Sequence, residues 1–415
     1  MNKKFLTIVS SLLLANSVTA APEPSAQEAK DWKEVYPLEY YSVLAGMDDI
    51  DDLHDKNFGY SHGNMAINMQ KSIANSKTKG LNATCFSCKT ATFNAIYKKY
   101  GDKVFQGQPS PEYTGMLKPI DFWSCETCHE DMKNPKASVG AQILSPKLFG
   151  KELFDKLPAK VAVCAQCHNN LAPWSDSRII TGMTALKENK TPYRYGWDPD
   201  SMIKATFEDA LPTGVRFPTA KIYSSSPASH AKTDKELGIY LIANGNHADA
   251  ELYMGSMHQK LNVGCADCHM PMLQDRMGNP YRSHNSSKSV LNSRASMEYC
   301  LTCHKNDEVK NVRDMVQFVK DAQGRLAERD KAVAEKLDET FPLLKTAIEA
   351  KKLSPEILDQ ARLNYATAAY YKEYVYGNRG ATPGKKVAHN PTYAQKYLDK
   401  ACKLLEETQQ MLRTN

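Results

Sequence analysis

The sequence has few of the features that mark unusual classes of protein. Of its 415 residues, 42% are hydrophobic and 24% are charged, which is ordinary for a globular chain and excludes disordered and collagen-like structure. After the first residues, no apolar stretch approaches the roughly 18–20 residues that a membrane-spanning helix needs. Strand signals are few, and the motif spacing shows no fixed repeat, which excludes a solenoid. These absences leave a mainly helical chain.

The N-terminus has the three parts of a secretory signal peptide. A basic pair, Lys3 and Lys4, precedes an apolar stretch at residues 5–15 and a small-residue cleavage site that ends at Ala20. We therefore expect residues 1–20 to be removed and the protein to be exported to the periplasm. Paired thiols normally oxidise to disulfides in such a compartment.

Cysteines are few but strictly grouped, because ten of the eleven fall into five Cys-x-x-Cys pairs. Such pairs can form disulfides or bind zinc. Four of the five are followed by histidine, and that pattern is the attachment signature of c-type haem. In this arrangement the thiols bond to the porphyrin and the imidazole binds the iron. The predicted attachment residues are Cys85, Cys88, Cys125, Cys128, Cys164, Cys167, Cys265, Cys268, Cys300 and Cys303, and the residues that follow the pairs are Lys89, His129, His168, His269 and His304.

The first pair is followed by Lys89 rather than by histidine. Alone it would be a stray pair, but beside four complete motifs we interpret it as a fifth site. A lysine amine binds iron only when it is deprotonated, which requires desolvation or the metal itself. The sequence therefore predicts five covalently bound haem c groups.

Seven further histidines could supply second axial ligands to the four histidine-ligated haems. Any one of them could equally be a surface or core histidine. They are His54, His62, His230, His247, His258, His284 and His389.

The last third of the chain is rich in Lys, Glu, Ala and Leu at helical spacing. Apolar residues recur on one face from Val312 to Leu344, which predicts a long amphipathic helix. Prolines that follow capping residues begin two further helices, at Pro355 and Pro391. We interpret these helices as scaffold and subunit contact, and Cys402 as a buried small hydrophobe.

With these motifs, the chain resembles the pentahaem cytochrome c nitrite reductases, which reduce nitrite to ammonia. The resemblance rests on a lysine-ligated first haem, four histidine-ligated haems and a helical C-terminal third. It implies four distal ligands where the family pattern has them: His62 before the first motif, His258 before the fourth, His284 between the fourth and fifth, and His389 near the C-terminus. It leaves the sixth position of the Lys89 haem open for substrate.

In the family, the open face of that haem carries an arginine, a tyrosine and a histidine. His247 lies 11 residues before His258 and matches the histidine, while Leu171 replaces the tyrosine. Lys147 lies one position beyond the place of the arginine and would supply its charge. We therefore expect His247 and Lys147 to be catalytic.

The calcium site of the family is eroded in this sequence. A site that lacks its carboxylate loses most of its attraction for a hard dication, so calcium is doubtful. The residues at the ligand positions are Asn170, Leu171, Asn244 and Asn246.

The resemblance implies a six-electron reduction of nitrite at an open iron. Sulfite, hydroxylamine and nitric oxide could use the same position. The alternative from another class is a pure electron-transfer cytochrome in which all five irons are saturated. The missing tyrosine and arginine favour that alternative, and His247 argues against it.

The predicted fold is mainly α, with few strands and the haems packed in the N-terminal two-thirds. Three regions are expected: a signal peptide at 1–20, a pentahaem-binding region at 21–305, and a helical region at 306–415 that contributes a homodimer contact and returns His389 to a haem. The segment from Asn169 to Met257 is interpreted as an insertion whose prolines, including Pro199, mark loops.

The net charge does not indicate a nucleic-acid partner. The formal charge of +6 falls to about −6 once Lys3 and Lys4 are removed and two propionates are added for each haem. The expected partners are a small inorganic substrate and a redox protein such as a quinol-oxidising cytochrome.

Overall fold

The computed structural model describes residues 32–45, 87, 89–106, 111–117, 124–130, 139–169, 191, 193–210, 248–286, 288–376, 384 and 386–414. The predicted signal peptide lies outside these ranges. So do several residues singled out above, namely Cys85, Cys88, His54, His62, His230, His247, Asn170, Leu171, Asn244 and Asn246.

The described part of the chain is mainly helical, which confirms the predicted fold class. A two-stranded antiparallel sheet pairs β1 (Met272–Gln274) with β2 (Pro280–Arg282). A 3₁₀ turn spans Val290–Asn292. The shorter helices are α1 (Trp32–Val35), α2 (Pro37–Ala45), α3 (Thr92–Tyr100), α4 (Lys103–Gln106), α5 (Pro111–Met116), α6 (Cys125–Cys128), α7 (Val139–Phe149), α8 (Lys151–Asp155), α9 (Ala159–Ala165), α10 (Pro199–Ala210), α11 (Asp249–Tyr253), α12 (Met257–Lys260), α13 (Cys265–His269) and α14 (Arg294–His304).

Three long helices follow: α15 (Val312–Ala350), α16 (Pro355–Tyr376) and α17 (Pro391–Thr414). The predicted capping residues are confirmed for the last two. Ser354 Oγ accepts a hydrogen bond from the Ile357 N–H at 3.4 Å, and Asn390 Oδ1 accepts one from the Tyr393 N–H at 3.2 Å. These bonds satisfy amide groups that the first turn of a helix leaves without partners.

The three long helices pack on one another: α15 and α17 each bury a stripe at helical spacing, and the second half of α16 is buried on nearly every side. Asp330 lies within the stripe of α15 and forms a buried ion pair with Lys372 of α16, at 3.2 Å. Cys402 packs against the apolar cluster as predicted for a small hydrophobe, but it is half-buried rather than buried. The buried residues of α15 are Met315, Leu326, Asp330, Val333, Leu337, Thr340 and Leu344.

The interpretation of Pro199 as a loop residue is wrong, because Pro199 is the first residue of α10. Asp198 Oδ1 accepts a hydrogen bond from the Ser201 N–H at 3.0 Å and caps the helix. Proline is tolerated at the first helical position since its missing N–H would have no partner within the helix. An Asp-Pro pair is therefore also a helix start signal.

One continuous apolar cluster joins both sides of residue 305. Phe93 and Val161 from the first part belong to the same cluster as Leu337, Tyr374 and Leu398 from the long helices. The helical bundle is thus a support on which the cysteine motifs are packed. In the part of the chain that the structure describes, no helix is long and apolar enough to cross a membrane.

Candidate haem sites

The described Cys-x-x-Cys-His motifs each form a helical turn. In the second motif the His129 N–H donates to the Cys125 carbonyl at 2.8 Å, and in the third the His168 N–H donates to the Cys164 carbonyl at 2.9 Å. The fourth motif is α13, and the fifth forms the end of α14. Residues three and four apart share a helix face, so each motif presents two thiols and an imidazole to one side.

Cysteines from different motifs lie next to each other. The thiol of Cys265 lies beside that of Cys164, and the thiol of Cys268 beside that of Cys300. The neighbouring thiol and burial raise the pKa of both Cys265 and Cys268. The fourth motif therefore lies between the third and the fifth, and groups attached to the three would be in close contact.

Three pairs of histidine rings lie at the same centroid separation, with their planes inclined to each other. The ring centroids are 6.2 Å apart for His129 and His284, for His258 and His304, and for His269 and His389. Each pair joins a motif histidine to one of the predicted distal histidines. The fourth predicted distal histidine, His62, is left for His168 by elimination and lies outside the described residues.

This separation fits two imidazoles on opposite sides of one iron. An imidazole nitrogen bonds a first-row metal at about 2.0–2.1 Å, so two opposed ring centroids would lie about 6–6.5 Å apart. The three observed pairs, each at 6.2 Å, meet this requirement. The donor set of thiols and paired imidazoles is therefore chemically suited to haem c.

The second ring nitrogen of several of these histidines is already engaged. His258 Nδ1 lies 3.0 Å from the carbonyl oxygen of Ala388, and His284 Nδ1 lies 2.9 Å from that of Arg282. Since a carbonyl can only accept, Nδ1 carries the proton and Nε2 remains the metal-binding nitrogen. Metal-bound histidines generally have a partner of this kind at the second nitrogen.

A carboxylate, Asp249, meets two of the candidate ligands. Its Oδ2 lies 3.0 Å from His168 Nδ1, and its Oδ1 lies 2.6 Å from Lys386 Nζ and 3.6 Å from His389 Nδ1. Burial raises the pKa of the Asp249 carboxyl, but the charge of Lys386 and the hydrogen bond from His168 outweigh burial and hold that pKa well below its ordinary value. Asp249 is therefore an anion among imidazoles.

The two lysines predicted near the substrate lie in the first half of the chain. Lys89 is half-buried and precedes α3. Lys147 lies in α7, and its Nζ pairs with Asp102 Oδ2 at 2.9 Å. Hydrogen bonds from Lys147 and Tyr97 lower the pKa of the Asp102 carboxyl. The charge that was predicted to face the substrate is engaged in an ion pair.

Sequence reasoning did not find three of the residues beside the imidazoles. Trp32 lies with its ring 6.0 Å from that of His129, and its Nε1 donates to Glu126 at 2.6 Å. Asp249 and Lys386 were also missed. Trp32 and Asp249 come from segments distant in sequence from His129 and His168, and Lys386 contacts Asp249, so no local spacing indicates these contacts.

Comparison with known proteins bears directly on these motifs. A model of the family described as cytochrome c552 matches residues 62–415. The chain belongs to the cytochrome c552 family. Membership implies covalently bound c-type haem, in agreement with the cysteine motifs.

Individual members of the cytochrome c552 family are distant from this chain. A cytochrome c-552 of Haemophilus ducreyi is 23% identical over 259 residues, which are 59% of this chain and 45% of that protein. The cytochrome c nitrite reductase subunit NrfA of Nitratidesulfovibrio vulgaris is 24% identical over 345 residues, 80% of this chain and 61% of that protein. The chain spans about half the length of the curated relatives it matches.

A solved structure shares the fold of this cytochrome c552 family member. It is the catalytic subunit of cytochrome c nitrite reductase from Desulfovibrio desulfuricans, with a TM-score of 0.63, 18% sequence identity, and coverage of 92% of this chain and 84% of that one. At this identity the likeness concerns the fold.

Proposed function

We propose that this protein is a periplasmic pentahaem reductase that reduces nitrite to ammonia in a six-electron reaction. The observation that carries the proposal is the set of three histidine pairs, each with ring centroids 6.2 Å apart. Four doubly ligated haems would relay electrons, and the haem at the first motif would keep a free position for substrate. A reaction that consumes many electrons benefits from such a reservoir beside one reactive iron.

On this proposal, His129 with His284, His269 with His389, and His304 with His258 would each hold one haem iron. His168 would take the remaining predicted histidine, His62. Lys89 would be the one protein ligand at the first motif. The contacts at Nδ1 of His168, His258 and His284, with Asp249 or a backbone carbonyl, would orient these three imidazoles and leave Nε2 available for the metal.

At the open position, His247 would donate protons to the substrate oxygens, since imidazole titrates near neutral pH. Lys147 would attract the anion. Bound haem supplies the electrons and the reactive iron. The proposal requires no calcium, and metal analysis of the purified protein tests that point.

Three measurements test the proposal. Mass spectrometry of the denatured protein should find five covalent haems. The ferric paramagnetic resonance spectrum should contain a high-spin or exchange-coupled signal from the open haem beside low-spin signals. Anaerobic turnover should be faster with nitrite than with sulfite. Four or fewer haems, or low-spin signals alone, would contradict the proposal.

A pure electron-transfer cytochrome is the second candidate, and the ion pair between Lys147 and Asp102 favours it. The variant Lys147→Ala separates the two. An enzyme that uses this charge should show a raised KM for nitrite, whereas a carrier has no nitrite turnover to lose. Lys151→Ala is the matched control, because Lys151 forms an exposed ion pair with Asp155 on the neighbouring helix α8.

A further inference from the structure

We propose that Asp249 is a positioning residue shared by two haems, and that its carboxylate sets the reduction potentials of the haems at the third and fourth motifs together. The inference rests on the axial ligands of the proposed function and adds to them a residue that links two irons. It does not depend on which substrate is reduced.

The two oxygens of the Asp249 carboxylate lie near the proposed axial ligands of two different haems. Oδ2 faces His168, the motif ligand of one haem, at 3.0 Å. Oδ1 faces His389, the distal ligand of the next haem, at 3.6 Å. The side chain of Asp249 is 19% exposed, so solvent screens these interactions weakly.

The backbone fixes both sides of this junction. The Ala250 N–H donates to the His168 carbonyl at 3.0 Å and holds the start of α11 against the third motif. The His389 N–H donates to the Lys386 carbonyl at 3.0 Å in the turn at 386–389. One carboxylate therefore lies where two ligand-bearing segments meet.

Charge explains how Asp249 would act on the irons. An anion at Nδ1 makes the imidazole a stronger donor and favours the ferric state, which lowers the reduction potential. Lys386, 2.6 Å from the same carboxylate, opposes this effect. The two charges should therefore shift the same two potentials in opposite directions when they are removed one at a time.

The other ligand pairs lack this arrangement among the described residues. His258 and His284 use the neutral carbonyl groups of Ala388 and Arg282. Haems at the fifth and second motifs should consequently respond little to changes at Asp249. This contrast makes the effect specific to two of the five haems.

The test is a redox titration of the full haem-loaded protein, followed by paramagnetic resonance. In Asp249→Asn, two low-spin signals should change their g values. The reduction potentials of the same two haems should rise by about 59 mV, which corresponds to a tenfold change in a one-electron reduction equilibrium. In Lys386→Met the same two potentials should fall. Haem content and the other signals should match the wild type.

Asp267→Asn is the matched control. Asp267, a residue of the fourth motif, is also shielded, with 14% of its side chain exposed. Its Oδ2 pairs with Lys160 Nζ at 2.7 Å. Its contacts among the described residues are with Lys160, Arg282 and Gly264, not with a histidine. Loss of this charge should leave the g values of every low-spin signal unchanged.

Unchanged potentials and g values in Asp249→Asn would overturn the inference, as would the same g shifts in Asp267→Asn. If Asp249→Asn failed to load its haems, Lys386→Met would provide the test. A fall in the two reduction potentials would support the inference, and a rise or no change would contradict it. Nitrite turnover is measured separately. Shifted potentials without turnover would refute the proposed function and support this inference, while turnover with unshifted potentials would do the reverse.

Discussion

At the scale of single residues, His284 is held from three directions. Its ring faces His129, its Nδ1 bonds to the Arg282 carbonyl at 2.9 Å, and its backbone N–H donates to Ser42 Oγ at 2.7 Å. Ser42 belongs to α2, so the N-terminal helices help to orient the imidazole. A side chain held in this way can keep its Nε2 directed at one point.

We expect His284→Ala to convert one low-spin haem to high-spin while all five haems remain attached, because thioether bonds do not depend on the distal ligand. Mass spectrometry and paramagnetic resonance of the purified variant measure the two properties. His54 is not one of the proposed iron ligands, so the control variant His54→Ala should keep the wild-type spectrum. A wholly low-spin spectrum for His284→Ala would show that another residue ligates that iron.

The chemical identity of the site could be predicted from the sequence because thiols and imidazole adjoin one another within each motif. The pairing of histidines could not be derived from spacing, since His129 and His284 belong to different segments that meet only in the folded chain. Asp249 gave no signal at all. A single aspartate among the 47 acidic residues has no pattern until its neighbours in space are known.

At the scale of elements, the turn at 386–389 serves several histidines. Ala388 accepts from His258, Lys386 pairs with Asp249, and His389 faces His269. Gly384 anchors this turn against α15. Its φ is +83°, and a Cβ there would collide with the carbonyl oxygen of Gln323.

Gly384→Ala should therefore lower the free energy of unfolding by about 1–3 kcal/mol, since both the left-handed conformation and the close approach exclude a side chain. Thermal denaturation of the haem-loaded protein measures the loss. Gly324→Ala is the control within α15, where a Cβ would meet nothing within 4 Å. It should raise the free energy of unfolding by up to about 1 kcal/mol through helix propensity. Equal effects of the two variants would refute this account.

Helix α10 is attached to the long helices through Asp200. The carboxylate accepts hydrogen bonds from Tyr371, from Tyr397 at 3.2 Å and from Lys400 at 2.5 Å. Burial raises the pKa of Asp200, but these partners outweigh it and lower that pKa below its ordinary value. A carboxyl whose pKa is lower in the folded state than in the unfolded state stabilises the fold at pH values above its unfolded pKa. This stabilisation is lost as the pH falls through the folded pKa.

Asp200→Asn should consequently lower the melting temperature at pH 7, and the difference from the wild type should shrink below about pH 4. The side chain is 43% exposed, so solvent limits the contribution to about 1 kcal/mol or less. Melting curves of both proteins between pH 7 and pH 3 provide the measurement. A difference that grows on acidification has the wrong sign for this mechanism.

The elements that the sequence predicted well are those with long periodicity. The stripe of α15 repeats over many turns, and the caps at Ser354 and Asn390 mark the next two helices. The short helices were not predicted because each has too few turns to establish a period. The prediction for Pro199 was wrong because a proline can either end an element or begin a helix, and the capping residue before it decides between the two.

At the scale of the whole molecule, association of two chains stays a prediction. Phe318 of α15 is an exposed apolar side chain on the long helices, with 41% of its surface exposed. Light scattering should find twice the mass of the haem-loaded chain at micromolar concentration. A single-chain mass would refute the predicted dimer.

The division of the chain at residue 305 also stays a prediction. The apolar cluster is continuous across that boundary, with Phe93 on one side and Tyr374 on the other. The motifs and the bundle share a core, so the unfolding of the two regions should be coupled.

The number of residues between the two histidines of each pair also bears on how the protein matures. His258 and His304 close the shortest loop of the three, and His129 and His284 the longest. The entropy of closing these loops differs by about 1 kcal/mol, which favours the fifth motif as the first to gather both of its imidazoles. The fourth motif must wait for His389, which leaves the ribosome after α16. A transcript cut short before that codon would still encode all ten motif cysteines, yet its product would carry one haem with a missing axial imidazole.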